Sequence, residues 1–422
     1  MKKLKIRRFF LKNRRLTDCL IAVVVVFLFI GLFSKLPISL GFLNPIGNSI
    51  KDFDIYDVVF SKLRNEPPAD TNIVLVNIGD LDRAGIAREI NIINSCRPKV
   101  IGLDLFFLTD KEPEKDLLLK EAISRAKNLV IACKLEKYDP KLDRYDSLAC
   151  SDKFLGRRTA IGFSNLPEED NSGYRTIRSF RSYAKYKSSF ETAFALKIVE
   201  QVDKKYIKTL NKRNYDKELI NYTGNLNKYY YLESSDLFSA DFNRAILRDK
   251  IVLIGFMGID PQTKTFEDIF FTPINERYAG RTFPDMYGVV INANIISMIM
   301  RGNYISVMPQ WLSLIIAILM SFSSLLILMQ IKKVYRDWFG AVYKLFIFTL
   351  TIMNMVIGVY IFNKFSYKIN LTLTLVAIVI GPTCLDLYEL FLKKKLFPKK
   401  KEADEKGTEV SSIAGHDILS DR

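Results

Sequence analysis

Histidine is nearly absent from this chain: the single one, His416, lies close to the end of 422 residues. A segment without histidine holds no Ser-His-Asp or Cys-His catalytic pair and no histidine-ligated zinc ion. Those chemistries are excluded for everything that precedes residue 416. Cysteine is scarce as well, with five. Cys19 and Cys384 fall in apolar runs, where a small apolar residue is the simplest reading. Cys96, Cys133 and Cys150 fall in the polar region, and an odd number cannot pair completely. They are read as unpaired structural cysteines, with a Cys133–Cys150 disulfide as the alternative. Phosphate-binding fingerprints are missing too: Gly255-Phe256-Met257-Gly258 is a Gly-x-x-Gly alone, which is common.

What the chain does have is four apolar runs around one long polar region. Leu16–Phe33, Trp311–Ile331, Phe339–Phe362 and Leu371–Leu392 are each close to the length of about 20 helical residues that crosses a bilayer core. Lys2, Lys3, Lys5, Arg7, Arg8, Lys12, Arg14 and Arg15 precede the first run, Lys332, Lys333 and Arg336 separate the second and third, and Lys393, Lys394 and Lys395 follow the fourth. Basic loops stay cytoplasmic, so both termini (1–15 and 393–422) are expected inside a bacterial-type inner membrane and the region 40–305 outside it. The first run has the basic start of a signal peptide, but Gly31-Leu32-Phe33-Ser34-Lys35 offers no small-x-small cleavage site. An uncleaved anchor is expected.

The net charge of +16 follows from this layout. Residues 35–310 contain 40 Lys and Arg against 36 Asp and Glu, so most of the excess sits in the arms and spans. Anionic lipid headgroups account for basic arms of this kind. No nucleic-acid partner is expected.

The outer region reads as α/β. Ile73–Ile78, Val100–Phe107 and Leu129–Ala132 are β-rich apolar runs. Between them Arg83–Ser95 and Glu114–Lys127 carry apolar residues at helical spacing, giving a mainly parallel sheet covered by helices. Residues 135–185 are polar and loop-rich, a helix is expected over Ser188–Val202, a strand over Ile251–Ile254, and a buried helix over Val289–Met300.

Gly102-Leu103-Asp104-Leu105-Phe106-Phe107, Lys250-Ile251-Val252-Leu253-Ile254-Gly255, Asp268 with Thr272-Pro273, and Gly288-Val289-Val290-Ile291-Asn292-Ala293-Asn294 follow one another in the chain. In order and spacing they resemble the type-two CHASE domain family (cyclase/histidine-kinase-associated sensory extracellular) over about residues 50–305. The resemblance implies a sensory α/β fold outside the membrane, followed by three membrane spans. Asn292 stands where the family commonly has histidine, and its Asp/Gly/Arg pattern is matched loosely by Asp170, Gly173 and Arg175. The family is usually joined to a kinase, cyclase or phosphodiester-signalling domain, and the 30 residues after the fourth run are expected to be too few for one.

Candidate ligand-binding residues are Asp80, Asp104, Asp268 and Asn292. Ligands of parallel α/β sheets sit beyond the carboxyl ends of the strands, where Asp80 and Asp104 are expected; Asp80 is alternatively a helix cap or turn residue. Asp104 is surrounded by apolar residues and needs partners, as a structural salt-bridge or hydrogen-bond hub or, alternatively, as a ligand contact. Thr272-Pro273 is expected to set a turn, and Asn292 or Asn294 to brace loops. Lys344 and Asp386 lie at similar depth in neighbouring spans and are expected either to pair or each to snorkel to the interface. No cofactor and no metal is assigned, although Asp80 and Asp104 are oxygen ligands in type.

The expected protein is therefore a non-enzymatic membrane sensor. Its outer domain detects an unknown extracytoplasmic ligand and acts on a separate protein partner, and a homodimer is compatible with it. The alternative is an envelope scaffold.

Overall fold

The computed structural model describes residues 14–34, 54–150, 152–156, 159–166, 176–259, 267–275, 283–335 and 337–396. Asp170, Gly173, Arg175, His416 and most of both basic termini lie outside them. The chain divides into two compact units. One contains residues 1–41, 307–358 and 369–422, and the other residues 42–306 and 359–368.

The larger unit is α/β. In chain order it contains β1 (Asp70–Asn77), α1 (Arg83–Ser95), β2 (Val100–Asp104), α2 (Pro113–Arg125), β3 (Leu129–Asp139), β4 (Arg144–Ala149) and β5 (Ala160–Phe163). Then come β6 (Ser179–Arg181), β7 (Tyr183–Tyr186), β8 (Ser189–Thr192), α3 (Phe194–Val202), α4 (Lys204–Asn211) and β9 (Lys217–Leu219). β10 (Tyr229–Glu233), α5 (Ser234–Phe238), β11 (Ile251–Gly255), β12 (Ile269–Phe270), β13 (Met286–Tyr287) and α6 (Gly288–Arg301) complete it.

The main sheet is mixed, with strand order β10-β1-β11-β2-β3-β4-β7-β8 and β5 also paired to β3. β10, β1, β11, β2, β3 and β5 pair in parallel, whereas β4 and β8 pair antiparallel to β3 and β7. Period-two alternation divides the core. Ile73, Leu75, Ile251 and Leu253 face one cluster, and Val74, Val76, Val252 and Ile254 face the other. Both faces are covered, so these strands read as unbroken apolar runs. α1 and α2 cover the second face through Ile86, Ile90, Ile93, Leu119 and Ile123. α3 and α6 cover the first through Phe194, Ile198, Val290 and Ile291. Full burial of each such side chain contributes roughly 1.5–3 kcal/mol.

Local signals fix the helix ends. Asp82 caps α1 by accepting the Gly85 N–H at 2.9 Å. At the far end of α6, Gly302 adopts φ +63°, and Asn303 donates back to the Met298 carbonyl at 3.1 Å. Gly102 and Gly162 let α3 approach the sheet. A Cβ on Gly162 would meet the Phe194 backbone at 2.5 Å, and one on Gly102 the Ile198 side chain at 2.6 Å.

Three expectations for the α/β unit are corrected here, the first being the loop-rich reading of residues 135–185, a stretch that holds β4, β5 and β6. The helix starts at Phe194, not Ser188, because Ser189–Thr192 pairs with β7 as a strand and leaves Phe190 exposed. Cys133 and Cys150 are joined in a disulfide rather than unpaired. The β3–β4 register explains the bond: Lys134 faces Ala149, so the next positions, Cys133 and Cys150, face each other with 5.0 Å between Cα atoms.

Among the described residues, four helices are long and apolar enough to cross a membrane: Arg15–Phe33, Gln310–Val334, Phe339–Phe365 and Thr372–Leu392. In the smaller unit the first, second and fourth pack through Cys19, Ala22, Leu325, Leu328, Leu385 and Tyr388. Asp18 is buried, accepting from the Tyr388 hydroxyl at 2.7 Å and Lys393 Nζ at 2.6 Å. Asp386 lies 3.3 Å from Lys332, which also holds Glu389 at 2.8 Å. The expected Lys344–Asp386 pair is therefore replaced by Lys332, one helix earlier in the chain.

Candidate functional site

Asp104 ends β2, next to Gly255 at the end of β11. Strand parity puts it on the same face as Gly102, the side covered by α3 and α6. There its carboxylate is buried among polar neighbours. Asn292 Nδ2, one turn into α6, donates to Asp104 Oδ2 at 2.8 Å and to Ser164 Oγ at 3.0 Å. Ser164 Oγ donates to Asp104 Oδ1 at 3.2 Å. Ser164 follows β5, and its N–H bonds the Cys133 carbonyl at 2.9 Å. Burial pushes the Asp104 carboxyl up to about 6, against the opposing effect of its bonds to Asn292 and Ser164.

This triad lines a cavity of about 220 Å³. Lys134 and Asn165 approach it from the sheet side, Phe106 and Phe270 are its aromatic walls, and Asp268 and Gly288 flank the start of α6. Asn165 helps to hold the wall: its Oδ1 accepts from the Leu135 N–H at 2.7 Å and its Nδ2 donates to the Leu135 carbonyl at 2.8 Å. Asp268 sits at φ +52°, and the Gly288 N–H donates to its carbonyl at 3.0 Å. A Cβ on Gly288 would lie 2.9 Å from the Asp268 carboxylate oxygens, so a side chain there would displace that carboxylate.

Three of the four candidate residues thus meet around one cavity: Asp104, Asp268 and Asn292. Asp80 does not. It is an exposed turn residue, and the helix cap is Asp82. Asn294, the other asparagine of α6, is a brace: its side chain bonds Thr223 N at 2.7 Å and the Gly224 and Val290 carbonyls at 2.9 Å each. The Gly255–Gly258 loop is no phosphate cradle, because Asn77 takes the Met257 N–H and the Gly258 carbonyl, both at 2.9 Å. Thr272-Pro273 does set a turn, closed by Asn275 N to Thr272 O at 3.1 Å. The sequence reading missed what anchors it. Asp285 accepts from Thr272 N at 2.8 Å and Oγ1 at 2.5 Å, and burial raises its carboxyl to about 6.

A family model, the CHASE2 domain, matches residues 22–327. The chain belongs to the CHASE2 domain family. The match takes in the whole α/β unit from β1 to α6, and with it every residue that lines the cavity. Searches of the curated proteins and of the solved structures found no match. As a CHASE2 chain with four membrane-length apolar helices, the protein fits a membrane sensor.

Lys134, Ser164, Asn165, Leu166 and Phe270 are the lining residues that the sequence did not single out. The available signal for Ser164 was the short apolar run Ala160–Phe163, hidden in a region read as loop.

Proposed function

We propose that this CHASE2 chain senses a small extracytoplasmic molecule in the Asp104 cavity. The bound state passes through the membrane helices to a separate protein. The observation that carries the reading is Asp104 itself, a buried carboxylate at the carboxyl end of a parallel strand, held toward a cavity by Asn292 and Ser164. The α/β unit lies outside the inner membrane and both termini inside, as the basic loops favour. Capture of the tagged full-length protein from intact membranes tests the signalling step. Recovery of a kinase, cyclase or regulator that changes with Asp104→Asn supports it. Recovery of envelope proteins alone, unchanged by that substitution, refutes sensing and favours a scaffold.

Orientation has its own test. Lys141 and Asp337 are exposed, so Lys141→Cys and Asp337→Cys report on opposite sides. A membrane-impermeant maleimide labels the first in intact spheroplasts and the second only after permeabilisation; the reverse pattern contradicts the orientation.

A further inference from the structure

Of the three charged groups that line the cavity, Asp104, Lys134 and Asp268, the first two make no ion pair among the described residues. The polar partners of the Asp104 carboxylate are neutral, the Asn292 amide and the Ser164 hydroxyl. No Lys or Arg of the described residues forms an ion pair with it. Lys134 lines the same cavity, is exposed, and likewise makes no ion pair among the described residues. A carboxylate removed from water without a cation is costly, and such a group facing a cavity is completed by what enters it.

We propose that the cavity takes a zwitterion, a molecule of amino-acid or betaine size whose ammonium group meets Asp104 and whose carboxylate meets Lys134. The inference rests on the reading of this cavity as the sensory site. Size agrees: about 220 Å³ lies below the roughly 300–1,000 Å³ of sites for drug-sized ligands. Phe106 and Phe270 supply apolar walls for the hydrocarbon part, and an aromatic face also attracts an ammonium group. The start of α6 carries a partial positive charge, but Asp268 already stands against Gly288 there. Lys134 is the cation left to meet the carboxylate of the ligand.

The test is thermal unfolding of the full-length protein in detergent at pH 7.5. The probes are the twenty α-amino acids and glycine betaine at millimolar concentration, the matching amines and carboxylic acids that keep one charge, and hexoses, polyamines and dicarboxylates. At least one zwitterion raises Tm by about 2 °C or more, its single-charge counterparts act at least about tenfold more weakly, and D104N and K134M both remove the shift. Because Lys134 is exposed, K134M leaves the core untouched. Failure of every zwitterion, or an equal shift from a single-charge counterpart, overturns the inference. If a compound of another class acts and D104N abolishes its effect, the cavity remains the sensory site and only the zwitterion is wrong. If no compound acts through Asp104, both readings fall.

Discussion

Asp104→Asn is expected to make the unliganded protein more stable, which is the opposite of what removing a structural hydrogen-bond hub does. Burial moves the carboxyl from 3.8 to about 6. Between those values the native state binds the extra proton, so stability falls as pH rises through the window and stays lower above about 6. At about 1.4 kcal/mol per pH unit the full cost is about 3 kcal/mol. Asparagine removes the charge while keeping an oxygen for the Asn292 amide and offering an N–H to Ser164 Oγ, so the geometry of the triad survives. Allowing for imperfect fit, a net gain of about 2 kcal/mol corresponds to roughly 4–8 °C in Tm for a unit of this size. The assay is thermal unfolding of full-length wild type and variant, followed by intrinsic fluorescence at pH 7.5 and pH 4. The gain appears at pH 7.5 and shrinks toward zero at pH 4. A lower Tm for the variant at pH 7.5, or the same gain at both pH values, refutes the reasoning.

Other outcomes follow from the same structure. Glu89 is fully buried, and burial raises its carboxyl to about 7 against the opposing effect of the nearby Ser234 hydroxyl; Glu89→Gln therefore raises Tm at pH 8 and leaves it nearly unchanged at pH 4, and an equal effect at both contradicts the assignment. Reduction of the Cys133–Cys150 bond, which closes a loop of sequence separation 17, lowers stability by about 3 kcal/mol, seen as a Tm drop with dithiothreitol that the Cys133→Ala, Cys150→Ala double variant no longer shows. Gly162→Ala forces a methyl into the Phe194 backbone and costs about 1–3 kcal/mol or more, read by thermal unfolding. Lys332→Ala weakens the packed apolar helices, measured as faster loss of monodisperse protein in detergent, whereas Lys344→Ala does not; equal effects count against the Lys332–Asp386–Glu389 contact.

Much of the fold was legible because its core strands are buried on both faces. Ile73–Ile78 and Ile251–Ile254 are nearly pure β-branched and leucine runs, and Arg83–Ser95 follows a capping aspartate with isoleucines at helical spacing. The outer part of the sheet was less legible for a physical reason. β5 and β8 are four residues each, too short for a periodic pattern, and β5 is ordered by Phe194 settling on Gly162, a contact distant in sequence. Pairing across the chain was hidden for the same reason. The disulfide depends on the hairpin register that sets Cys133 opposite Cys150, and the partner of Asp386 depends on how the apolar helices are rotated.

In the site, Asp104 was visible as a charge inside an apolar run, and Asp268 and Asn292 through their family motifs. Asp80 was misassigned to the site because the chain turns away after β1 and leaves it exposed, with Asp82 taking the cap. Lys134 could not be singled out among the lysines of a polar segment. Only the strand register, which carries it one residue past the disulfide, sets it on the cavity wall.

The central claim is that a small molecule occupies the cavity beside Asp104. The direct measurement is photocrosslinking in intact cells from a benzoylphenylalanine placed at Phe106, with mass analysis of the purified chain. Leu118, exposed on α2, serves as the control position. A small-molecule adduct is expected at Phe106 that is absent at Leu118 and lost with Asp104→Asn. An adduct only to another protein chain, or the same small-molecule adduct with and without Asp104→Asn, would contradict it.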